Sequence, residues 1–272
     1  MKKFSSSIGK PEQGCINEDA VIALEDVIAV SDGAGGGGLF AERWSAYLLN
    51  HLPATPISSA EELDNWIGEI WEVFYNQCEE YAKQLGGLSL DKFYDEGSFA
   101  TLVAVWRLSD SECKWMSFGD SVAFHYNYST KLLEHSFGSL ADFAKPPYLI
   151  NCKDELLKDG FCNGLFHTDS DSIVFVASDA LAHYVMMMYE IENIGKFKQE
   201  LDAAESKYSK SSNYIKVAKA IGEVNFEKDV INRLIHTVGH PTNFRRHIQS
   251  LIRKGLISYD DYSIAMFCKK IP

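Results

Sequence analysis

Two stretches decide how this sequence reads: Val27-Ile-Ala-Val-Ser-Asp32-Gly33 and its near copy Ile173-Val-Phe-Val-Ala-Ser-Asp179-Ala180. Each is a short run of β-branched and small apolar residues, which predicts a strand buried on both faces, and each ends in Ser-Asp and a small residue. A carboxylate at the end of a core strand is held rigidly beside the ends of neighbouring strands. Asp120, closing Trp115-Met-Ser-Phe-Gly119, and Asp261, just before a last strand at Ser263 to Cys268, occupy comparable places. Glu18 and Asp19 directly precede a strand at Ala20 to Leu24. Any one Asp beside Gly or Ser shapes an ordinary turn, but two apolar strands ending alike need a shared cause. The pattern therefore predicts that these six acids converge.

Converging carboxylates in a poorly solvated cleft repel one another, and their pKa values rise unless cations neutralise them. Oxygen ligands without His or Cys at ligand spacing favour Mg2+ or Mn2+ over zinc. Asp32-Gly-Ala-Gly-Gly-Gly-Gly38, between a strand and a predicted helix, lets the backbone approach a ligand or metal closely. Leu39-Phe40 follows where a phosphate-binding loop needs Gly-Lys-Ser/Thr, and no acid ends a second strand as dinucleotide binding requires.

The remaining chain is that of an ordinary globular protein: 272 residues, 46% hydrophobic, 24% charged, with a formal net charge of −12. That balance works against general binding of nucleic acid or anionic membrane. No Pro/Ser/Gly-rich linker divides the sequence, so residues 1–272 are read as one domain. The six cysteines form no Cys-x-x-Cys pair, and no apolar stretch is long enough to span a bilayer, which together suggest reduced thiols in the cytoplasm. Helices are predicted from Leu39 to Leu52, Glu61 to Leu85, Leu181 to Tyr189, Ile194 to Ser206 and Asn243 to Arg253. Four consecutive strands, from Phe99 to His135, read as an antiparallel meander. Met186, Met187 and Met188 suit core filling. Arg245, Arg246, His247, Arg253 and Lys254 could attract a phosphorylated partner, although a solvated helix face is the favoured reading.

In sequence order, Asn17-Glu-Asp19, Val30-Ser-Asp-Gly-Ala-Gly-Gly36, Gly97-Ser-Phe-Ala-Thr101, Phe118-Gly-Asp-Ser121, Ala177-Ser-Asp179 and Asp260-Asp-Tyr-Ser263 resemble the signature blocks of the metal-dependent type 2C (PPM) protein serine/threonine phosphatases. The resemblance implies an α+β fold, a central sandwich of two antiparallel β-sheets flanked by α-helices, with two Mg2+ or Mn2+ ions at one end. It makes Asp32 the residue bridging both ions, the Gly33 carbonyl a ligand of one, and Asp179 and Asp261 ligands of the other. Glu18 becomes a ligand of the Gly33-side ion, Asp19 its supporting neighbour, and Asp120 an acid of a third, looser site where His183 replaces a further acid. The implied reaction is hydrolysis of phosphoserine or phosphothreonine in a phosphorylated protein, opposite a Ser/Thr kinase, by a hydroxide shared between the two ions.

The chain departs from the family pattern where Glu12-Gln-Gly-Cys-Ile16 replaces a stretch that usually carries a phosphate-holding Arg, with Lys10 or Arg43 as substitutes. Ala34, Ala180 and Val122 stand where the family often has His, Gly and Arg. These departures leave an alternative open, a catalytically weak or silent binding module on the same scaffold.

Overall fold

Strands that are apolar on both faces need a layer on each side. The computed structural model describes residues 1–12, 14–36, 38–207 and 209–268. In chain order its elements are β1 (Lys2–Ile8), β2 (Ala20–Ala23), β3 (Val27–Ser31), α1 (Ala41–Asn50), α2 (Ala60–Leu85), α3 (Gly87–Glu96), β4 (Phe99–Ala100), β5 (Leu102–Arg107), β6 (Glu112–Phe118), β7 (Val122–Asn127) and β8 (Leu132–His135). There follow β9 (Ile150–Asn151), β10 (Phe161–His167), β11 (Ser172–Ala177), α4 (Asp179–Glu192), α5 (Ile194–Lys207), α6 (Ser209–Ala220), α7 (Asn232–Thr237), α8 (Pro241–Arg253) and β12 (Tyr262–Cys268). Two five-stranded antiparallel sheets form the centre, ordered β1-β12-β11-β7-β8 and β10-β6-β5-β3-β2. β4 and β9 form a separate short pair.

Alternation along each strand divides its side chains between two cores. Ile28, Val30, Val103, Val105, Val174, Val176, Ala265 and Phe267 meet between the sheets. Val27, Ala29, Leu102, Ala104 and Trp106 face the layer of α1, α2 and α3, where Trp44 is wholly buried and donates its indole N–H to the Ile150 carbonyl at 3.0 Å. Ile173, Phe175, Ile264 and Met266 face the other helical layer, α4 to α8. The expected sandwich of two antiparallel sheets flanked by helices is the observed architecture, in α-β-β-α layers. Met186, Met187 and Met188 lie in its core as expected. Leu201, Ala204, Ile215 and Ala218 bury into the same core, so the described part of the segment between α4 and α8 is a packed helical insert. No helix among the described residues is long and apolar enough to cross a membrane.

The predicted meander is not a single sheet. β5 and β6 belong to one sheet and β7 and β8 to the other. The crossing falls at Gly119, whose φ of 103° is a left-handed conformation and whose position leaves no room for a Cβ, which would stand 2.7 Å from Thr101 Cγ2. β1 and β10 were not expected, because an edge strand has little apolar signal. β1 is largely Lys and Ser, yet it pairs along its full length with β12, from Lys2↔Cys268 to Ile8↔Tyr262.

α4 is unusual in being buried on every side from Ala180 to Ile191, Glu190 included. Glu190 Oε2 has no hydrogen-bond partner, and burial, reinforced by the charge of Glu200, raises its pKa to about 8. A carboxyl whose folded pKa is raised favours folding below its unfolded pKa and loses that contribution as pH climbs through the folded value. Glu190→Gln is therefore expected to match the parent near pH 4 and to exceed it at pH 9 by on the order of 3 kcal/mol in urea unfolding. Gly119→Ala, which must adopt a positive φ against Thr101, is expected to lower stability by about 2 kcal/mol in the same assay.

Candidate metal centre

The register of the two sheets brings six strand termini to one edge. Ala177, at the end of β11, pairs with both Ile264 of β12 and Val122 of β7, and Ile8, at the end of β1, pairs with Tyr262. In the second sheet Ala20 pairs with Ser31, so the entry to β2 lies beside the exit from β3. The residues just beyond these termini are Lys10, Glu18, Asp19, Asp32, Asp120, Asp179, Asp260 and Asp261.

Asp32 is fixed by its own backbone: its N–H donates to Thr101 Oγ1 at 3.2 Å, and its carbonyl accepts from the Thr101 N–H at 2.8 Å. Thr101 Oγ1 is in turn 2.7 Å from Ser121 Oγ, which ties the two sheets together beside Asp120. Asp179 is the first residue of α4, where the helix N-terminus favours a negative charge. The Ser178 N–H donates to the Ser263 carbonyl and Ser178 Oγ accepts from the Ser263 N–H, both at 3.0 Å, locking the β11 exit to the β12 entry. Gly33 donates its N–H to the Glu18 carbonyl at 3.2 Å, and a Cβ there would stand 2.6 Å from that same oxygen. At Gly35 a Cβ would stand 1.9 Å from Glu18 Oε1, so the glycines make a cradle that this carboxylate fills.

These acids act on one another. Burial first, and then the charges of Asp19, Asp179, Asp120 and Asp260, hold the Asp32 carboxyl well above the ordinary carboxylate range. Burial, followed by Asp120, Asp260 and Asp19, does the same to Asp179. Burial and the Asp260 charge raise Asp120 to about 6. Asp19 rises to about 7, chiefly through burial, with the Asp261 charge adding to the rise and Ser263, Ser178 and Asp32 drawing it back, and neither of its buried oxygens has a well-formed hydrogen bond. Half-buried Glu18 is raised by desolvation, against the opposing pull of Lys10.

Two of the expected site residues are held by partners that the sequence does not show. Both carboxylate oxygens of Asp261 accept backbone hydrogen bonds, Oδ1 from the Lys10 N–H at 2.7 Å and Oδ2 from the Glu18 N–H at 2.9 Å, and its charge acts on Asp19 and Glu18. Its role is to clamp the β1 exit and β2 entry to β12. The acid whose charge bears on Asp32, Asp120 and Asp179 is its neighbour Asp260, one residue earlier. His183 is packed edge-on to the Phe143 and Tyr214 rings at 5.4 and 6.2 Å, and burial lowers its pKa to about 4. It packs in an aromatic cluster whose Phe143 lines the same cavity as Asp120.

The cations sort themselves as well. Arg43 lies 3.9 Å over the Tyr81 ring centroid and 5.5 Å from that of Phe40, on the α1 to α2 surface. Lys10 is the cation at the centre, its Nζ 3.1 Å from Asp260 Oδ1 and 3.8 Å from Glu18 Oε2. Burial lowers its pKa, but Asp260, with Asp261 and Glu18, more than reverses this and raises it. A cavity of about 350 Å3 opens over Asp32, Asp120 and Asp179, with Lys145, Pro146 and Pro147 on its rim. Lys145 went unrecognised in the sequence, where only the stiff Pro-Pro pair beside it marks the place.

The donor set fits a divalent cation: oxygen only, buried, mutually repelling, with the orphaned Asp19 and a cradle of glycines around Glu18. As the side chains stand, no three His, Cys, Asp or Glu groups among the described residues converge tightly enough to grip an ion. Rotation of carboxylates about their side-chain bonds would have to accompany binding.

The sequence matches no protein-family model, and no curated protein matches it either. Its architecture does match solved structures. PppA, described as a key regulatory component of T6SS in Pseudomonas aeruginosa, is 14% identical over 97% of this chain and 96% of its own, with a TM-score of 0.54. The catalytic domain of the serine/threonine protein phosphatase PstP, in complex with two manganese ions, is 14% identical over 97% of this chain and 96% of that one, at 0.53. The phosphatase Stp1 from Staphylococcus aureus is 13% identical over 98% and 94%, at 0.51. The chain has the fold of the PPM-type serine/threonine phosphatases.

Removing a buried, unpartnered carboxylate should stabilise the metal-free protein. In EDTA, Asp19→Asn is expected to melt above the parent at pH 8, where the parent must hold this carboxyl ionised, and the gap should close toward pH 4. Thermal melting at the two pH values checks it, and a lower melting point for the variant at pH 8 would contradict the account.

Proposed function

We propose that the protein is a metal-dependent phosphatase acting on phosphoserine or phosphothreonine in proteins, its residues 1–272 working as one catalytic domain. The observation that carries this reading is the poorly solvated group of Asp19, Asp32, Asp120 and Asp179 with the half-exposed Asp260 beside it, whose mutual repulsion calls for more positive charge than Lys10 brings. Asp32, Asp179 and Asp260, with Glu18 and the Gly33 carbonyl, are the groups that would hold two Mg2+ or Mn2+ ions, and Asp120 would serve a third. When bound, such ions supply an acidified water and neutralise the phosphate oxygens.

The chain's own residues then divide the remaining work. Thr101 and Ser121 fix the backbone of Asp32, so that its carboxylate is presented without reorganisation. Lys10, tied to Asp260 and Glu18, keeps part of the acidic group compensated. Lys145, on a rim stiffened by Pro146-Pro147, offers an ammonium to the incoming phosphate where the family more often uses Arg. Ala34 lines the same cavity and has no proton to give, so the leaving serine or threonine oxygen takes its proton from solvent. Six unpaired cysteines agree with a reducing compartment, and the cytoplasm is the location we propose, with a Ser/Thr kinase supplying the substrate.

A second reading has one observation in its favour. The Lys10 ammonium lies between Asp260 and Glu18, where it competes with a metal, and a silent binding module could use that arrangement permanently. Activity distinguishes the two. With Mn2+, phosphopeptides and an aryl phosphate are expected to be hydrolysed, and EDTA to abolish turnover. Asp32→Asn and Asp260→Asn should each lower kcat by about 100-fold or more. Asp261→Asn should leave kcat within about tenfold while lowering the melting temperature, since it breaks a backbone clamp. Metal binding without turnover in the parent would favour the silent module. An Asp261→Asn loss as deep as that of Asp260→Asn would contradict the assignment of the two neighbours.

A further inference from the structure

Apart from the carboxylate centre, the helical layer contains a cavity of about 490 Å3 where α4, α7, α8 and the turn after α6 meet. Its floor is apolar, made by Tyr184 and Met188 of α4 with Leu251 and Leu256. Its walls carry Arg233, Arg246 and Lys254 against a single acid, Asp229. In a chain of net charge −12 this is a local reversal of sign. No ion pair involves any of the three cations among the described residues, whereas Lys131 and Lys219 are paired with Glu227 and Glu205. Asp229 accepts a backbone N–H from Asn225 at 3.0 Å.

Arg246, Ser250 and Lys254 recur at four-residue spacing and so line one side of α8. His247 stands beside them with its ring nitrogen Nε2 buried and without a partner. Burial, then the charges of Arg233 and Lys254, lowers its pKa to about 4, so the ring is neutral and adds a hydrogen-bonding group without adding charge. The basic run around residue 246 thus has two sides. Arg253 turns back to its own helix, Nε donating to the Gln249 carbonyl at 3.2 Å, while Arg246 and Lys254 face the cavity.

We propose that this cavity binds a small phosphorylated molecule with an apolar body, of the size of a nucleoside monophosphate. The phosphate lies among Arg233, Arg246 and Lys254, and the body covers Tyr184, Met188 and Leu251. The charge excess matches a phosphomonoester dianion, the guanidinium forks suit its oxygens, and the volume is that of a small-ligand site. A phosphoserine side chain matches less well, because its single methylene leaves the apolar floor uncovered.

The test is calorimetric titration of the full chain in EDTA with adenosine 5′-monophosphate and 1-naphthyl phosphate, against adenosine and inorganic phosphate. At least one phosphorylated probe should bind about tenfold more tightly than either control. Arg246→Glu, and separately Ser250→Trp, which fills the cavity, should each weaken that binding by about tenfold or more, in variants whose melting temperatures match the parent. Lys145→Ala, on the rim of the carboxylate centre, should leave it unchanged. The proposal is overturned if neither probe binds, if binding survives both Arg246→Glu and Ser250→Trp, or if it disappears with Lys145→Ala alone. Tighter binding of a phosphoserine peptide than of either probe also overturns it.

Discussion

The structure depends on the repulsion between carboxylates gathered at one end of the sandwich. Asp32, Asp120, Asp179 and Asp260 each come from a different strand terminus, and none is where it is by local preference alone. Ladder register, the Ser178 to Ser263 hydrogen bonds and the Thr101 to Asp32 exchange force them together against their own charge. A fold that holds such an arrangement has its strongest unfavourable electrostatics where its chemistry is expected, as functional sites commonly do. The large apolar cores on both sides supply the opposing stability.

Asp260 and Asp261 show how narrowly such a centre is specified. Both are acids, they are adjacent, and at the level of residue type either could meet an ion. The backbone N–H groups of Lys10 and Glu18 separate them, because each oxygen of Asp261 accepts one of these and neither oxygen of Asp260 does. The same clamp delivers Lys10 to Asp260, so the position of this cation follows from the neighbouring acid. His183 shows another case, a residue with ligand chemistry that packs edge-on against the Phe143 and Tyr214 rings.

Much of the fold was legible because it rests on short-range periodicity. Val27 to Val30 and Ile173 to Ala177 read as buried strands and fall within β3 and β11, and α1, α2, α4, α5 and α8 lie where apolar spacing puts them. β1 and β10 were not legible. An edge strand such as Lys2–Ile8 is specified by main-chain pairing with a partner some 260 positions away, and its Lys and Ser side chains carry no apolar signal. The switch of sheets at Gly119 was hidden for a similar reason, since a turn residue signals a change of direction without saying which sheet receives the next strand.

By itself, then, the sequence determined which residues could supply oxygen ligands, that they sit at the ends of buried strands, and that no His or Cys set competes with them. These are properties of residue type and local pattern. Only the tertiary structure decided that Asp260 acts on Asp32, Asp120 and Asp179 while Asp261 accepts the Lys10 and Glu18 N–H groups, that Lys10 and not Arg43 lies beside Asp260, and that Arg233 meets Arg246 and Lys254 across a cavity. The orientation of a side chain at a strand end, and the meeting of charges from separate helices, are set by register and packing between segments distant in the chain.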